Sequence, residues 1–301
     1  MSLLKKMAKN TEKLPISLII LTYNEELNLE NCLKNAAPWV GEIFVVDSFS
    51  TDKTLEIAEK YKAKTIQHEF KNQARQFNWA LDNLPVKNEW IMRLDADEYV
   101  LPELWEEIAE KLSEKNISIN QQYQHKSASA INGFYMKRRV YFMGKWMRHG
   151  GYYPTWILRL FRKGKAMSED REMDEHIILS EGRAENLEND FVDDNKKGLE
   201  AWTDRQNKYS SREVRQILDL SRSGEKDLEK LGGPVADRRR IKERYNNLPI
   251  FGRAFLYFFV RYFFLGGFLD GKEGMIFHFL HGFWYRFLID AKLYESGLKN
   301  K

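Results

Sequence analysis

Short apolar runs alternate with segments of helical periodicity through the first hundred or so residues. The runs are typical of buried parallel strands and read ISLIILTY, EIFVVDS, KTIQHEF and EWIMRLDADEY. The segments LENCLKNAA, TLEIAEKY, QARQFNWALDNL and LPELWEEIAEKL predict helices that follow these strands in turn. Asn24 is a candidate cap for the first helix, Ser50 or Thr51 for the second, and Pro102 suits the first turn of the fourth. Such alternation predicts an α/β fold with a doubly wound, mostly parallel sheet.

The pattern changes after Asn116. A polar stretch, ISINQQYQHKSASAING, predicts a loop, and GFYMKRRVYFMG and TWILRLFRKG predict two further strands. The charged region from Asn195 to about Gln216 predicts a helix, and SRSGEKDLEKLGGP an exposed loop or short helix. We therefore expect a flexible N-terminus over 1–14, one α/β domain over 15–216, a linker or helical segment over 217–250, and aromatic amphipathic helices over 251–301.

Composition narrows the class of protein. The chain has 301 residues, 43% hydrophobic and 31% charged, which is typical of a globular protein with a sizeable core. A net charge of +4 is small for this length, and we expect no nucleic-acid partner. Cys32 is the single cysteine, so no disulfide can form within the chain, as is usual in a reducing cytoplasm. The N-terminal MSLLKKMAKNTEKLP lacks the apolar segment of a signal peptide, and no uninterrupted apolar run reaches the roughly 20 residues of a membrane span.

Three carboxylates crowd the end of the fourth predicted strand, in the sequence DADE. Because strand residues alternate between faces, Asp95 and Asp97 are expected to project the same way. Two carboxylates on one face repel each other, and a hard divalent cation such as Mg²⁺ or Mn²⁺ would remove that repulsion. A turn with helix-capping acids ahead of Pro102 is the alternative interpretation.

Other polar residues also follow predicted strands, and ligands of doubly wound sheets bind beyond the strands' carboxyl ends. Thr22, Tyr23 and Asn24 follow the first strand, and Asp47 and Ser48 follow the second. All are expected to converge with the DADE acids on one crevice. Asp47 could accept hydrogen bonds from a ribose or a base, or could cap the following helix. On the third helix, Arg75 and Asn78 lie one turn apart and could face a nucleotide.

Four motifs in this order, ILTYNEELNLENCL, VVDSFSTDKTLEIA, NQARQFNWAL and MRLDADEYV, resemble the nucleotide-binding half of family-2 glycosyltransferases with the GT-A fold. DREMDEHIILSEG and DDNKKGLEAWTDRQNKYSSREV are similar to later motifs of the bacterial lipopolysaccharide-core and capsule glucosyltransferases. The resemblance covers roughly 15–216. It implies an inverting transferase that moves a hexose from a UDP-sugar to a lipid-linked or lipooligosaccharide acceptor, with Mg²⁺ or Mn²⁺ as cofactor.

Site residues follow from the resemblance position by position. It implies Asp97 as the direct metal ligand, and Asp95 as a second ligand that also lies near the ribose. The candidate bases are Glu175, Asp174 and Glu172; the resemblance favours Glu175, because similar sequences place HE or DE ahead of a short apolar strand, and leaves Asp174 as a close alternative. Together with the strand-end residues, the candidate nucleotide-sugar site comprises Thr22, Tyr23, Asn24, Glu25, Asp47, Ser48, Arg75, Asn78, Asp95 and Ala96.

Aromatic residues dominate the chain after Pro249. RAFLYFFVRYFFLGGFL and MIFHFLHGFWYRFLI each place a narrow polar stripe on a mostly apolar helix. Such helices suit the membrane interface, so we expect 251–291 to hold a cytoplasmic enzyme on the inner face of the cell membrane. A helical hairpin packed into the core, or a dimer interface, is the alternative.

Two further classes of function stay open from the sequence. A nucleotidyltransferase also uses paired acids on a doubly wound sheet, although LTYNEELN lacks the glycines and lysine of its phosphate loop. A non-catalytic scaffold that docks membrane enzymes through the aromatic tail is the second alternative. The sequence names neither the donor sugar nor the acceptor.

Overall fold

The computed structural model describes residues 13–113, 130–171, 173, 175–223 and 233–299. Its first half holds four parallel strands in the order β3-β2-β1-β4, and the register sets Thr22 beside Asp47 and Leu21 beside Asp95. The carboxyl ends of three strands therefore meet at one edge. The strands are β1 (Leu14–Thr22), β2 (Val40–Asp47), β3 (Lys64–Gln67) and β4 (Trp90–Asp95).

Helices cover both faces of this half-sheet. One core contains Leu33, Ala58 and Trp105, and the opposite core contains Phe77 and Ala80. The predicted α/β, doubly wound architecture is confirmed. The helices are α1 (Leu29–Ala36), α2 (Thr54–Lys60), α3 (Gln73–Asn83) and α4 (Pro102–Lys111).

The second half of the chain extends the same sheet with mixed pairing. β8 runs antiparallel to β4, β6 antiparallel to β8, β11 parallel to β6, and β5 antiparallel to β11. The sheet thus returns to the residues that directly follow β4. These strands are β5 (Glu98–Val100), β6 (Ile131–Phe142), β7 (Lys145–Trp146), β8 (Thr155–Arg162) and β11 (Arg183–Asp193), with a separate hairpin of β9 (Ala166–Ser168) and β10 (Ile177–Leu179).

Two predicted helix caps are wrong. The first helix begins at Leu29, and Asn24 instead has a positive φ of 53°. Its Oδ1 accepts the Thr51 N–H at 2.8 Å, while Ser50 Oγ accepts the Asn24 N–H at 2.8 Å. The second helix begins at Thr54, so neither Ser50 nor Thr51 caps it. These side chains link the loops after β1 and β2 to each other, which local sequence rules do not anticipate.

The expectation that Asp95 and Asp97 share one strand face is also wrong. β4 ends at Asp95, the chain turns at Ala96, and β5 begins at Glu98 as the partner of β11. The turn separates the two aspartates, so each meets a different set of neighbours.

Helices complete the chain. α5 (Gly198–Ser223) confirms the helix predicted in this region and extends past residue 216, and α6 (Gly233–Asn246) follows it. Most of the polar loop predicted over 117–133 and of the loop or short helix predicted over 221–234 lies outside the described residues, and their described ends belong to β6, α5 and α6, apart from residue 130. The aromatic region forms α7 (Gly252–Phe259), a π-helical turn (Val260–Phe264), a 3-10 turn (Gly267–Asp270), α8 (Gly271–Phe277), a second π-helical segment (His278–Trp284) and α9 (Tyr285–Lys299).

A buried ion pair joins the two arms of this aromatic region. Arg253 of α7 donates from Nε to Asp290 Oδ1 of α9 at 2.8 Å, and both side chains are almost wholly buried. Asp290 also accepts the Phe251 N–H at 2.8 Å, which fixes the start of α7. Since the carboxylate and the guanidinium are both removed from water, each depends on the other.

A second pair ties α6 to the loop between β9 and β10. Arg239 donates from Nη1 and Nη2 to Glu169 at 3.1 and 2.5 Å, and His176 Nδ1 lies 3.7 Å from the same carboxylate. Burial opposes ionisation of Glu169, but His176 and Arg239 outweigh it and lower its pKa to about 2. The helix after α5 thereby fixes the start of the loop that carries the candidate bases.

We expect Asp290→Asn to lower the free energy of unfolding by about 3–5 kcal/mol, because it leaves Arg253 buried without its counter-charge. Urea unfolding monitored by circular dichroism measures the change. Glu273→Gln is the matched control: Lys145 and Glu273 form a half-exposed pair at 3.6 Å, and its loss should change stability by less than about 1 kcal/mol. Equal effects of the two substitutions would contradict the role given to burial.

Glu169→Gln should lower the free energy of unfolding by about 1 kcal/mol at neutral pH, a value discounted because the pair is partly exposed to water. A carboxylate with a depressed folded-state pKa stabilises the fold above its ordinary pKa of 4.5, and that contribution fades as the pH falls toward about 2. The difference from the wild type should therefore shrink in urea titrations between about pH 6 and pH 2.5. A difference independent of pH would show that the ion pair does not stabilise this loop.

Candidate active site

A cleft of about 1020 Å³ opens at the carboxyl ends of β1, β2 and β4. It is the edge at which the sequence placed its candidate residues, and β6, β11 and α5 form the rest of the lining. The predicted residues that line it are Thr22, Tyr23, Glu25, Ser48, Asp95, Ala96 and Asp97.

Asp47 lies behind this lining and is fully buried. It accepts the Thr22 hydroxyl at 3.0 Å and the Ser50 N–H at 2.8 Å. These bonds satisfy a carboxylate that burial would otherwise penalise. Asp47 therefore fixes the loop after β2 and the hydroxyl of Thr22 at the edge of the cleft.

Glu25 links the first loop to the start of α5. Its Oε1 accepts Lys197 Nζ at 2.6 Å, and its Oε2 accepts Asn28 Nδ2 at 2.7 Å. Burial raises the pKa of Glu25 above its ordinary value despite both partners. The cleft wall is thus closed by a contact between residues far apart in the chain.

Two buried arginines neutralise the acids at the end of β4. Arg159 of β8 donates from Nη2 to Asp95 Oδ2 at 3.0 Å and also to Glu98 Oε1, while Arg93 Nη2 lies 3.3 Å from Asp95 Oδ1. Burial disfavours charge on Asp95, but Arg159 and Arg93 outweigh it and hold its pKa below the usual range. For Glu98, burial is the largest influence and, with Asp95 nearby, raises the pKa to about 8 against the effect of Arg159.

Asp97 contacts side chains near and within α5. Its Oδ2 accepts Asn195 Nδ2 at 2.7 Å and lies 3.6 Å from Arg205 Nη1 of α5. Asp193, at the end of β11, has Arg138 Nη1 3.4 Å from its Oδ2. Burial and then the charge of Asp97 raise the pKa of Asp193 to about 6, so these two carboxylates repel each other across the cleft.

The donor chemistry here fits a hard divalent cation. Asp97 and Asp193 supply carboxylate oxygens, and a cation would relieve their repulsion. Asp95 is a poorer ligand, because both of its oxygens are paired with arginine. Within the described ranges no group of three or more His, Cys, Asp or Glu side chains is arranged to hold a metal by itself. Oxygens from a bound ligand would have to complete the coordination.

Glu175 reaches the same region from the loop before β10. Its Oε1 lies 3.8 Å from Arg93 Nη2, and it lines a smaller cavity of about 260 Å³ that shares Asp95 and Arg138 with the main cleft. The structure therefore brings this candidate base beside the DADE turn, 78 positions earlier in the chain. Glu172 and Asp174 lie outside the described residues.

Arg75 and Asn78 of α3 do not line the cleft and form contacts outside it. Arg75 pairs with Asp170 at 3.0 Å on an exposed surface. Asn78 donates from Nδ2 to the Ser168 carbonyl and accepts the Ser168 N–H, each at 2.8 Å. Both contacts hold the β9–β10 region against α3, and the nucleotide-binding role of these residues stays a prediction.

Sequence reasoning missed the residues that balance the acids. Arg159 is only 5% exposed and pairs with two carboxylates, and Arg138 lies 3.4 Å from Asp193. An arginine between Leu158 and Leu160 in an apolar strand was the available signal, because a buried cation requires a partner. Asp193 gave no comparable signal, since only the β5–β11 pairing brings it to the site.

Comparison with known proteins identifies the family of the chain. The model of the family described as "Glycosyl transferase family 2" matches residues 17–170. An uncharacterized glycosyltransferase of Rickettsia felis is 29% identical over 286 residues, 95% of this chain and 92% of the relative. The lipopolysaccharide core biosynthesis glycosyltransferase LpsC of Rhizobium meliloti is 26% identical over 302 residues, 94% of this chain and 93% of the relative.

Among solved structures, the mannosyltransferase PcManGT from Pyrobaculum calidifontis, crystallised with GDP-Man and Mn²⁺, aligns with a TM-score of 0.45 at 15% identity. The alignment covers 98% of this chain and 92% of that one. The family match spans β1 to the loop after β9 and includes the strand ends that line the cleft. The chain belongs to glycosyl transferase family 2.

Proposed function

We propose that the protein is an inverting glycosyltransferase that moves a hexose, such as glucose, from a UDP-sugar to a lipid-linked or lipooligosaccharide acceptor at the inner face of the cell membrane. One observation carries the proposal: Arg93 approaches both Asp95 and the candidate base Glu175, and the cavity that Glu175 lines shares Asp95 and Arg138 with the strand-end cleft that Asp97 lines. The similarity to LpsC supports an acceptor in the lipopolysaccharide core.

An inverting transfer proceeds by one displacement at the anomeric carbon. Glu175 takes the proton from the acceptor hydroxyl as its oxygen attacks the sugar, and no covalent enzyme intermediate is needed. Arg93 Nη2, 3.8 Å from Glu175 Oε1, holds this carboxylate beside the turn after β4. Adjoining cavities would hold the base, the donor and the acceptor close together, which lowers the entropic part of the barrier.

A leaving nucleoside diphosphate develops negative charge. Asp97, with Asp193 beside it, would hold Mg²⁺ or Mn²⁺, and a bound cation supplies Lewis-acid stabilisation of that charge. Arg205, 3.6 Å from Asp97, adds a fixed positive charge at the same place. Thr22, with its hydroxyl held by Asp47, and Tyr23 border the part of the cleft proposed for the uridine.

The aromatic helices support a membrane-bound location. Phe264 is 74% exposed, and other exposed apolar side chains on this region are Phe255, Leu256, Phe259, Phe263, Leu265, Phe268, Leu269, Met275 and Phe279. An apolar surface of this extent marks an interaction site, and aromatic residues favour the bilayer interface. No single described helix is long and apolar enough to cross a bilayer, although the bent pair Gly252–Phe264 and Gly267–Gly297, 70° apart, meets the length and composition required.

Family membership weighs against the two other classes. A nucleotidyltransferase would need a phosphate-binding loop, whereas the loop after β1 is engaged with the loop after β2 through Asn24 and Ser50. A non-catalytic scaffold would not need Asp97 and Glu175 beside an open cleft. Release of UDP from a UDP-sugar separates both classes from the transferase.

Glu175→Gln should lower turnover by about 10²–10⁴, the range for loss of a general base, with little change in donor affinity. Asp97→Asn should lower turnover on the same order and should also weaken binding of UDP with Mn²⁺. UDP release from a panel of UDP-sugars, with extracted lipooligosaccharide as acceptor, measures the rates. Asp82→Asn, an exposed change on α3, is the control and should be silent. Near-normal turnover of Glu175→Gln would reject its role as base.

Phe264→Asp should weaken binding to liposomes of anionic phospholipid by about tenfold or more, because a side chain that inserts into the interface becomes charged. Sedimentation with the liposomes measures the bound fraction. Met167→Asp, which changes a residue 52% exposed on β9, is the matched control and should bind as the wild type does. Equal binding of all three proteins would refute docking through the aromatic helices.

A further inference from the structure

The cleft extends well beyond the residues proposed to bind the donor. Its far wall is aromatic and forms where the β6–β7 hairpin, the first turns of α5 and the end of α8 meet. We call the following set the aromatic wall: Phe142, Met143, Tyr152, Trp202, Phe277 and His281. At about 1020 Å³ the cleft is as large as the largest small-molecule pockets, so it can hold a second substrate beside a nucleotide-sugar.

Trp202 is the central side chain of this wall. Its ring packs edge-on against Phe142, with centroids 5.5 Å apart, yet it is only partly buried and it lines the cleft. Three residues later on α5, Arg205 lies 3.6 Å from Asp97. Residues three apart are neighbours on a helix surface. The indole of Trp202 therefore lies one helical turn along α5 from Arg205, the residue that approaches Asp97.

Met143 provides a second and independent observation. It occupies the hairpin turn with a φ of 51°, a left-handed conformation that an unbranched apolar residue seldom adopts, and its side chain is 58% exposed in the cleft. Asparagine or glycine would suit such a turn better. Methionine at this position is unfavourable in two respects: its backbone conformation is strained and its apolar side chain is exposed to water. Such a residue at the edge of the cleft indicates a contact with a ligand.

The back of the wall contains a hydrogen-bonded pair of polar side chains. Tyr152 Oη and His281 Nδ1 are hydrogen-bonded at 2.8 Å, and the His281 ring stacks on Phe277 with centroids 5.3 Å apart. Burial, and then the positive charges of Arg286 and Arg261, lower the pKa of His281 well below its usual range. The Tyr152–His281 pair therefore offers a polar edge without charge.

Resting on the proposed function, we infer that the aromatic wall binds the acceptor and that the acceptor is a glycan, whose sugar ring stacks on Trp202. A pyranose combines an apolar face of C–H groups with hydroxyls at its rim. The wall pairs aromatic faces with polar neighbours in the same way, since Asp204, Arg205 and Lys208 line the cleft beside Trp202. A hydrocarbon chain in this position would desolvate those charged groups without compensation.

Saturation-transfer-difference NMR tests this with core oligosaccharide released from rough-type lipopolysaccharide, and with dodecyl phosphate as a lipid that has no sugar. The wild type should transfer saturation to the sugar C–H protons. Trp202→Ala should weaken oligosaccharide binding by roughly tenfold, the loss typical of truncating an aromatic anchor, and Trp202→Phe by less. Trp79→Ala is the control: it removes a tryptophan of α3 that stacks on His68, and it should bind as the wild type does.

Met143→Asn guards against misfolding as an explanation. It should keep or raise the melting temperature, since asparagine tolerates the left-handed turn, and should still weaken oligosaccharide binding. Unchanged binding in both Trp202→Ala and Met143→Asn, or binding of dodecyl phosphate alone, would overturn the inference. UDP titration in the presence of Mn²⁺ separates the two proposals: wild type that binds UDP but no oligosaccharide overturns only the acceptor site, and wild type that binds neither overturns the proposed function as well.

Discussion

The structure depends on the balance of charge around the turn after β4. Asp95, Asp97 and Glu98 follow a buried strand, and acids so placed are stable only with partners. Arg159 reaches them from β8 and pairs with both Asp95 and Glu98. The antiparallel half of the sheet therefore does more than extend the core. It places the guanidinium of Arg159 beside the acidic side chains at which the parallel half ends.

This arrangement explains how the site is divided. The arginines occupy Asp95, and they leave Asp97 facing the open cleft beside Asp193. The same Arg93 that pairs with Asp95 also approaches Glu175 from the loop before β10. The cleft that Asp97 lines extends from this turn to the aromatic wall.

The sequence predicted the parts of the fold that local pattern determines. Apolar runs located β1, β2 and β4, helical periodicity located α3 and α4, and strand ends located one side of the cleft. It failed where distant contacts decide. Asn24 holds another loop instead of capping a helix, and Asp193 reaches the site only because β11 pairs with β5. Arg159 was not among the predicted site residues, although its place in an apolar strand pointed to burial.

Anomalous diffraction at the manganese edge, from crystals soaked with UDP and Mn²⁺, tests the central claim most directly. The account predicts one peak in contact with Asp97 and with the diphosphate oxygens, between the turn after β4 and the end of β11. UDP bound in the cleft with no manganese at Asp97, or manganese bound at a site remote from it, would contradict the assignment of this turn as the centre of the reaction.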